Sequence, residues 1–168
     1  HFGPTATGRF DHQVPPPHDD PDRSILYVGL DAIAALAESF QETRVIDRRR
    51  QEPWLVGFEL VAPDSAPDGL PLLDTTRLWP TRAGASQALA TGRRPTAQAW
   101  SRLIHRSYAN LAGVLYRSSM AGGSLNVALY ERAGPFVPST PAIHVPLTHP
   151  GLAIPLARAA SKLGYLLR

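Results

Sequence analysis

The chain contains no cysteine in its 168 residues. Disulfides, thiolate nucleophiles and zinc sites built on sulfur are therefore excluded. A cytoplasmic location fits and is expected, although secreted proteins without disulfides also exist. Lysine is nearly absent too: Lys162 is the single example among 17 cationic side chains, and the rest are arginines. No apolar run approaches the roughly 20 residues that a membrane span needs, and no charged-then-apolar leader can be read in this stretch. No membrane partner is expected. The sequence opens at His1 rather than at methionine, so a preceding piece of chain is expected.

Several standard sites are missing as well. No glycine-rich segment follows the dinucleotide fingerprint or the phosphate-loop pattern; Ala121–Ser124 ("AGGS") lacks both the spacing and a following lysine. There is no GxSxG elbow. The histidines (His1, His12, His18, His105, His144, His149) show no metal-ligand spacing, and His105 reads as a packed or surface residue of a helix. No metal is expected. Nothing points to a Ser–His hydrolase, although such triads assemble across a fold.

What is present is ordinary for a globular protein. Hydrophobic residues make up 43% of the chain, and its length suits one domain over residues 1–168. The net charge is +3 and the pI about 9.7. A GC-rich genome accounts for abundant arginine and alanine. Arg48–Arg50, the one dense basic run, reads as a solvated turn, so direct nucleic-acid binding is not expected.

Periodicity and turn residues predict a proline-rich surface loop over Val14–Asp22 and a strand over Ser24–Gly29. A helix over Ala32–Thr43 follows, capped by Asp31, with Ile33, Leu36, Ala37 and Phe40 as its core stripe. Further strands are predicted over Trp54–Val61, Leu70–Asp74, Gly113–Tyr116 and Leu125–Tyr130. Helices are predicted over Gly84–Thr91, Pro95–Ala109 and Ile154–Leu166. The helix over Pro95–Ala109 puts Trp100, Leu103, Ile104 and Tyr108 on its buried face, and Trp54, Trp79 and Trp100 read as packing residues. Strands and helices mix without regular βαβ alternation. The expected fold class is thus α+β, a single domain with a curved, mixed or mostly antiparallel sheet flanked by helices.

One pair stands out. Tyr27 lies in the first strand, and Glu38 follows eleven residues later on the next helix, off its apolar stripe. By spacing alone, Tyr27 is a core tyrosine and Glu38 a solvated acid. The wider context adds to this. "GRF" (Gly8–Phe10), then "LYVG" and "LAESF", then "GVLYRSS" and "SLNVALY" resemble, in order, the motifs of the RES domain family. The resemblance covers roughly residues 1–132 and rests on Arg9, Tyr27, Glu38 and Ser118, with Asn126 at a frequently polar position. Three features depart from the family pattern. The loop between Arg9 and Tyr27 is long and rich in proline, Ser119 duplicates Ser118, and an earlier strand carrying a further arginine is missing, so the N-terminal strand is expected to be truncated.

The resemblance implies an ADP-ribosyltransferase-like fold and NAD as substrate. It implies a toxin of a toxin–antitoxin pair that consumes NAD by hydrolysis or by phosphorolysis with inorganic phosphate, kept in check by a small protein antitoxin covering the site. The alternative is a protein ADP-ribosyltransferase using the same cleft. A third reading is a non-catalytic basic binding module. In the catalytic readings, cleavage of the nicotinamide–ribose bond builds positive charge on the sugar, which a fixed carboxylate, Glu38, stabilises. Tyr27 offers a flat face to the nicotinamide and a hydroxyl handle. Arg9 grips the pyrophosphate. Ser118 bonds the amide or the ribose. Nicotinamide leaves readily, so histidine, cysteine and metal are not needed. Arg77, Arg82, Arg93 and Arg94 are candidates for further phosphate contacts, and the sequence does not choose among them.

Overall fold

The computed structural model describes residues 3–4, 7–16, 18–85 and 88–168. Its centre is a mixed four-stranded sheet made by β1 (Ile25–Gly29), β4 (Leu72–Asp74), β5 (Gly113–Arg117) and β6 (Leu125–Tyr130), in the order β1-β6-β5-β4. The β1–β6 and β6–β5 pairs are antiparallel, and β5–β4 is parallel. The mixed sheet with flanking helices expected from the sequence is observed.

Strand alternation sorts the side chains. Val127 and Leu129 of β6 face one core with Ala112 and Ala133. Ile25, Val114, Tyr116, Ala128 and Tyr130 face the other, against Phe10 and Ile104. The same two-residue step puts Tyr27 and Asn126 on this second face, with Tyr27 opposite Ala128 and Asn126 opposite Tyr116. The polar members of the face gather at one end of the sheet.

Helix α1 (Ala32–Ser39) follows β1 directly, and the Asp31 carboxylate accepts from the Ala34 amide as its N-cap. Gly29 permits this sharp approach: a Cβ there would lie 2.6 Å from the Ala35 nitrogen. The helix is shorter than the expected Ala32–Thr43. It stops at Phe40, and the chain turns back through Arg44 at φ 52°. Leu36 and Ala37 are buried as expected, while Ile33 and Phe40 pack at the edge of a separate core. That core is completed by α5 (Ala153–Leu163) and the parallel pair β2 (Val45–Ile46) and β8 (Leu166–Leu167). Helix α5 ends before the expected Leu166 because Gly164 takes the left-handed conformation at its C-cap.

The expected strand Trp54–Val61 is only β3 (Trp54–Gly57), paired with β7 (Ile143–Pro146), a strand that the sequence reading omits. Trp54 is half exposed and stacks on His144, so it is not a core packing residue; Trp79 and Trp100 pack at the margin of the sheet core. Residues Trp79–Arg82 form the short helix α2. Of the expected helix Gly84–Thr91, only α3 (Ala88–Thr91) is helical, and Ser86 and Gln87 lie outside the described residues.

Helix α4 (Arg94–Ser107) occupies the expected place but shows a different face. Ala97, Ser101, Ile104 and His105 are buried, whereas Leu103 and Tyr108 are exposed. Ser101 and His105 are satisfied by partners on the segment after Gly8 and on Glu131, and these bonds let polar residues face inward. The Arg48–Arg50 run sits in a turn where the Asp47 carboxylate accepts from the Arg49 and Arg50 amides. No helix among the described residues is long and apolar enough to cross a membrane.

Candidate active site

A cavity of about 420 Å³ opens at the polar end of the sheet, beside the C-terminal half of α1. Glu38 stands on its wall. Its Oε1 accepts from the Ser118 hydroxyl at 2.7 Å and from Asn126 Nδ2 at 2.9 Å. The Oε2 oxygen receives no hydrogen bond from a described residue, so it is the half of the carboxylate left for a ligand. Two donors from the sheet thus fix a carboxylate carried by a helix. Asn126 is buried, and its Oδ1 has no partner. A buried acceptor in that state costs stability unless a donor reaches it.

The serines are arranged by the turn after β5. Ser118 Oγ also accepts from the Met120 and Ala121 amides, so its one proton is free to point at Glu38. Ser119 lines the cavity without touching Glu38 in this way. Ser118, which bonds Glu38, is buried and stands behind the carboxylate, whereas Ser119 lines the cavity.

Tyr27 and Arg9 also line the cavity. The Tyr27 hydroxyl is already engaged: it donates to Asp11 Oδ1 at 2.6 Å and accepts from the Phe10 amide at 2.8 Å. Burial of that hydroxyl, then the Asp11 charge, pushes its pKa well above the usual tyrosine value. The residue nevertheless keeps 38% of its surface open. The ring is therefore what Tyr27 presents, and its hydroxyl is a structural pin rather than a handle. The second Asp11 oxygen takes the Gly8 amide, and a Cβ on Gly8 would fall on the Tyr27 hydroxyl. Arg9 Nη1 donates to the Gly92 carbonyl at 2.6 Å, which anchors its guanidinium at the cavity with the remaining N–H groups available.

Two contributors, Asp11 and Tyr116, are not singled out as site residues by the sequence, and a third, Arg94, is named there only as one of four candidates. Asp11 is buried and pins Tyr27, yet in the sequence it is one more acid in a loop. Tyr116, the last residue of the strand expected over Gly113–Tyr116, packs on Phe10 at 4.6 Å and also lines the cavity. Burial, followed by the nearby Glu38 charge, holds its hydroxyl protonated far above the usual range. Arg94 is the one member of the Arg77, Arg82, Arg93 and Arg94 set that lines the cavity. Only the alternation of β5 pointed toward Tyr116, two residues before Ser118.

A second polar cluster lies farther along the same N-terminal segment. His12 Nε2 and His105 Nε2 reach the two oxygens of Glu131 at 3.1 and 2.7 Å, and the two imidazole rings stack at 4.2 Å. These donor atoms lie within 4.8 Å of one another, a grouping that chain spacing did not reveal. The Arg132 guanidinium meets His105 Nδ1 at 3.2 Å. Since arginine only donates, that nitrogen accepts and the His105 proton sits on Nε2, aimed at Glu131. Burial opposes the Glu131 charge, but the bonds from His105 and His12 overcome it and hold the carboxyl well below the usual range. Both Glu131 oxygens and both His105 nitrogens are engaged within the cluster, which already holds a guanidinium cation, while His12 Nδ1 is buried without a partner.

Helix α1 is braced from behind, where the Tyr165 hydroxyl donates to the Ala37 carbonyl at 3.3 Å. No curated protein and no solved structure gives a significant match to the chain. The model of the RES domain family matches residues 1–150. With that match spanning most of its length, the chain belongs to the RES domain family.

Proposed function

We propose that the protein is an NAD-degrading enzyme, the toxin of a toxin–antitoxin pair, and that Glu38 is its central catalytic group. The observation that carries this reading is the held carboxylate: Ser118 and Asn126 fix Oε1 while Oε2 is left to the cavity. The cavity also carries charges of both signs, with Arg9 and Arg94 supplying cations and Glu38 and Glu42 carboxylates. NAD has the complementary pattern, an anionic diphosphate and a cationic nicotinamide ring.

In this reading the nicotinamide packs on the exposed ring of Tyr27, and the ribose lies against Glu38. The C1′–N bond breaks, and its electron pair leaves with nicotinamide, which becomes neutral. The positive charge left on the sugar is stabilised by the Glu38 carboxylate, already oriented before reaction. Water or inorganic phosphate then bonds to C1′ and releases a proton, giving ADP-ribose or its 1-phosphate. A small protein antitoxin blocks the cavity mouth.

The alternative, transfer of ADP-ribose to a protein, has one observation in its favour. A second cavity of about 550 Å³ shares Glu38, Ser39, Gln41 and Glu42 with the first and adds Arg50 and Arg168. An acceptor side chain could approach Glu38 from that side. Isotope-labelled NAD incubated with the purified protein, with and without phosphate and with a cell lysate, separates the outcomes. Free nicotinamide with ADP-ribose or its phosphate supports degradation, a labelled protein band supports transfer, and intact NAD in all arms refutes both.

A further inference from the structure

One face of α4 carries a row of polar side chains at positions 94, 98, 101 and 105, the spacing of a single helical stripe. Three of the four are matched by the chain beside them. His105 bonds Glu131, Ser101 Oγ donates to the Phe10 carbonyl, and Gln98 Nε2 donates to the Gly8 carbonyl at 2.9 Å. The partners thus run from Phe10 back to Gly8 as the stripe runs toward the helix N-terminus. The next position along the stripe is Arg94. It has passed the end of that pairing and lines the cavity, and its side chain makes no hydrogen bond or ion pair with any described residue.

Its surroundings favour an anion. Arg9 is tethered to Gly92, two residues before Arg94, and both arginines line the cavity. No acidic residue occupies the first turn of α4, and no side chain caps it. Two cations beside the positive end of a 14-residue helix repel one another unless an anion lies between them. Glu38 and Asn126 line the same cavity, and the Glu38 carboxylate is an acceptor. The two arginines thus offer an anion a site, and the Glu38 carboxylate offers an acceptor to hydrogen-bond donors of the same ligand.

We infer that Arg94 is a specificity-determining residue of this cavity, holding a diphosphate jointly with Arg9, so that the site selects a nucleoside diphosphate ligand over an uncharged nucleoside. This rests on the cavity being the NAD site proposed above and adds the group that reads the diphosphate. Arginine suits the task because its planar fork binds phosphate oxygens in pairs.

The test uses ADP as the probe, in calorimetric titrations of the wild-type chain, Arg94→Gln and Arg106→Gln. Arg106 is exposed on the same helix about 18 Å away by helical rise, so its loss gives the same change in net charge. ADP is expected to bind the wild type and Arg106→Gln alike and to bind Arg94→Gln at least roughly tenfold more weakly, the effect of one charge-assisted contact. Adenosine should bind all three equally weakly. Circular dichroism of Arg94→Gln should match the wild type, because the side chain is exposed and unpaired. Equal ADP affinity in the two variants, or no ADP binding by the wild type, overturns the inference. ADP binding that depends on Arg94 in a protein that leaves NAD intact would uphold it while refuting the NAD-degrading reading.

Discussion

The N-terminal segment Gly8–His12 enters two polar networks, and they differ in how completely they are closed. At its far end, His12, His105, Glu131 and Arg132 satisfy one another, leaving His12 Nδ1 as an orphan in packed surroundings. At its near end, Glu38 keeps one oxygen without a hydrogen bond from a described residue, and the Arg94 side chain, which lines the cavity, has no partner among the described residues. The first network stabilises; the second is built to be completed from outside. Unfilled hydrogen-bonding capacity on a cavity wall, more than burial or charge, distinguishes a site from a scaffold.

That contrast is open to attack by mutation. The largest effect is expected for Glu38→Gln, which keeps the shape and removes the charge: NAD cleavage should fall by about 10²–10³-fold, with thermal unfolding little changed. Glu131→Gln should do the reverse. It leaves the donors of His12 and His105 poorly matched and should cost about 1–3 kcal/mol of stability in denaturant titrations. Activity of its folded fraction should persist. If Glu131→Gln abolished activity without loss of stability, the division between scaffold and site would be wrong.

Smaller effects test the supports of the site. Asp11→Asn weakens the pin on Tyr27, and Gly8→Ala pushes against the same hydroxyl. Both should lower NAD cleavage about tenfold, with stability losses of about 1 kcal/mol. Ser118→Ala and Asn126→Ala each remove one of the two donors to Glu38 Oε1, and each should reduce cleavage by about tenfold or more. A double variant much worse than the product of the singles would show that either donor alone holds the carboxylate.

Acid should separate the two networks as well. Burial, only partly offset by the Glu131 bond, lowers the His12 pKa below its usual value. The folded chain then binds fewer protons than the unfolded chain, so stability is complete above about pH 6.5 and declines below it. Glu131, whose carboxyl is held low, adds stability that is complete above about pH 4.3 and is lost as the pH falls through its folded value. Unfolding free energy should therefore fall in two stages on acidification. His12→Gln should remove the upper stage, and an unchanged profile in that variant would contradict the assignment.

Much of the sheet was legible from sequence because its strands announce themselves locally. β1, β5 and β6 are short runs of Val, Leu, Ile and Tyr bounded by glycine or turn residues. Tyr27, Glu38, Ser118 and Asn126 could be named through their motifs, and the structure brings them together with Arg9. The buried face of α4 was misread because hydrophobicity was the guide. Leu103 and Tyr108 are exposed, while Ser101 and His105 are buried on partners far away in sequence. β7 was missed because His144 and two prolines blur its pattern, and its partner β3 lies some ninety positions earlier. Asp11 and Arg94 acquire meaning only when the segment after Gly8 is laid along α4, an arrangement that no local pattern encodes.

The central claim is that a carboxylate held by a serine and an asparagine breaks the nicotinamide–ribose bond. Its most direct test is the release of free nicotinamide from NAD by the purified, inhibitor-free chain, measured beside Glu38→Gln at equal folded concentration, with and without phosphate. The account predicts steady release by the wild type and a residual rate at least a hundredfold lower for the variant, about the effect of removing a preorganised electrostatic partner. Equal rates in the two proteins, or no release by either, would contradict it.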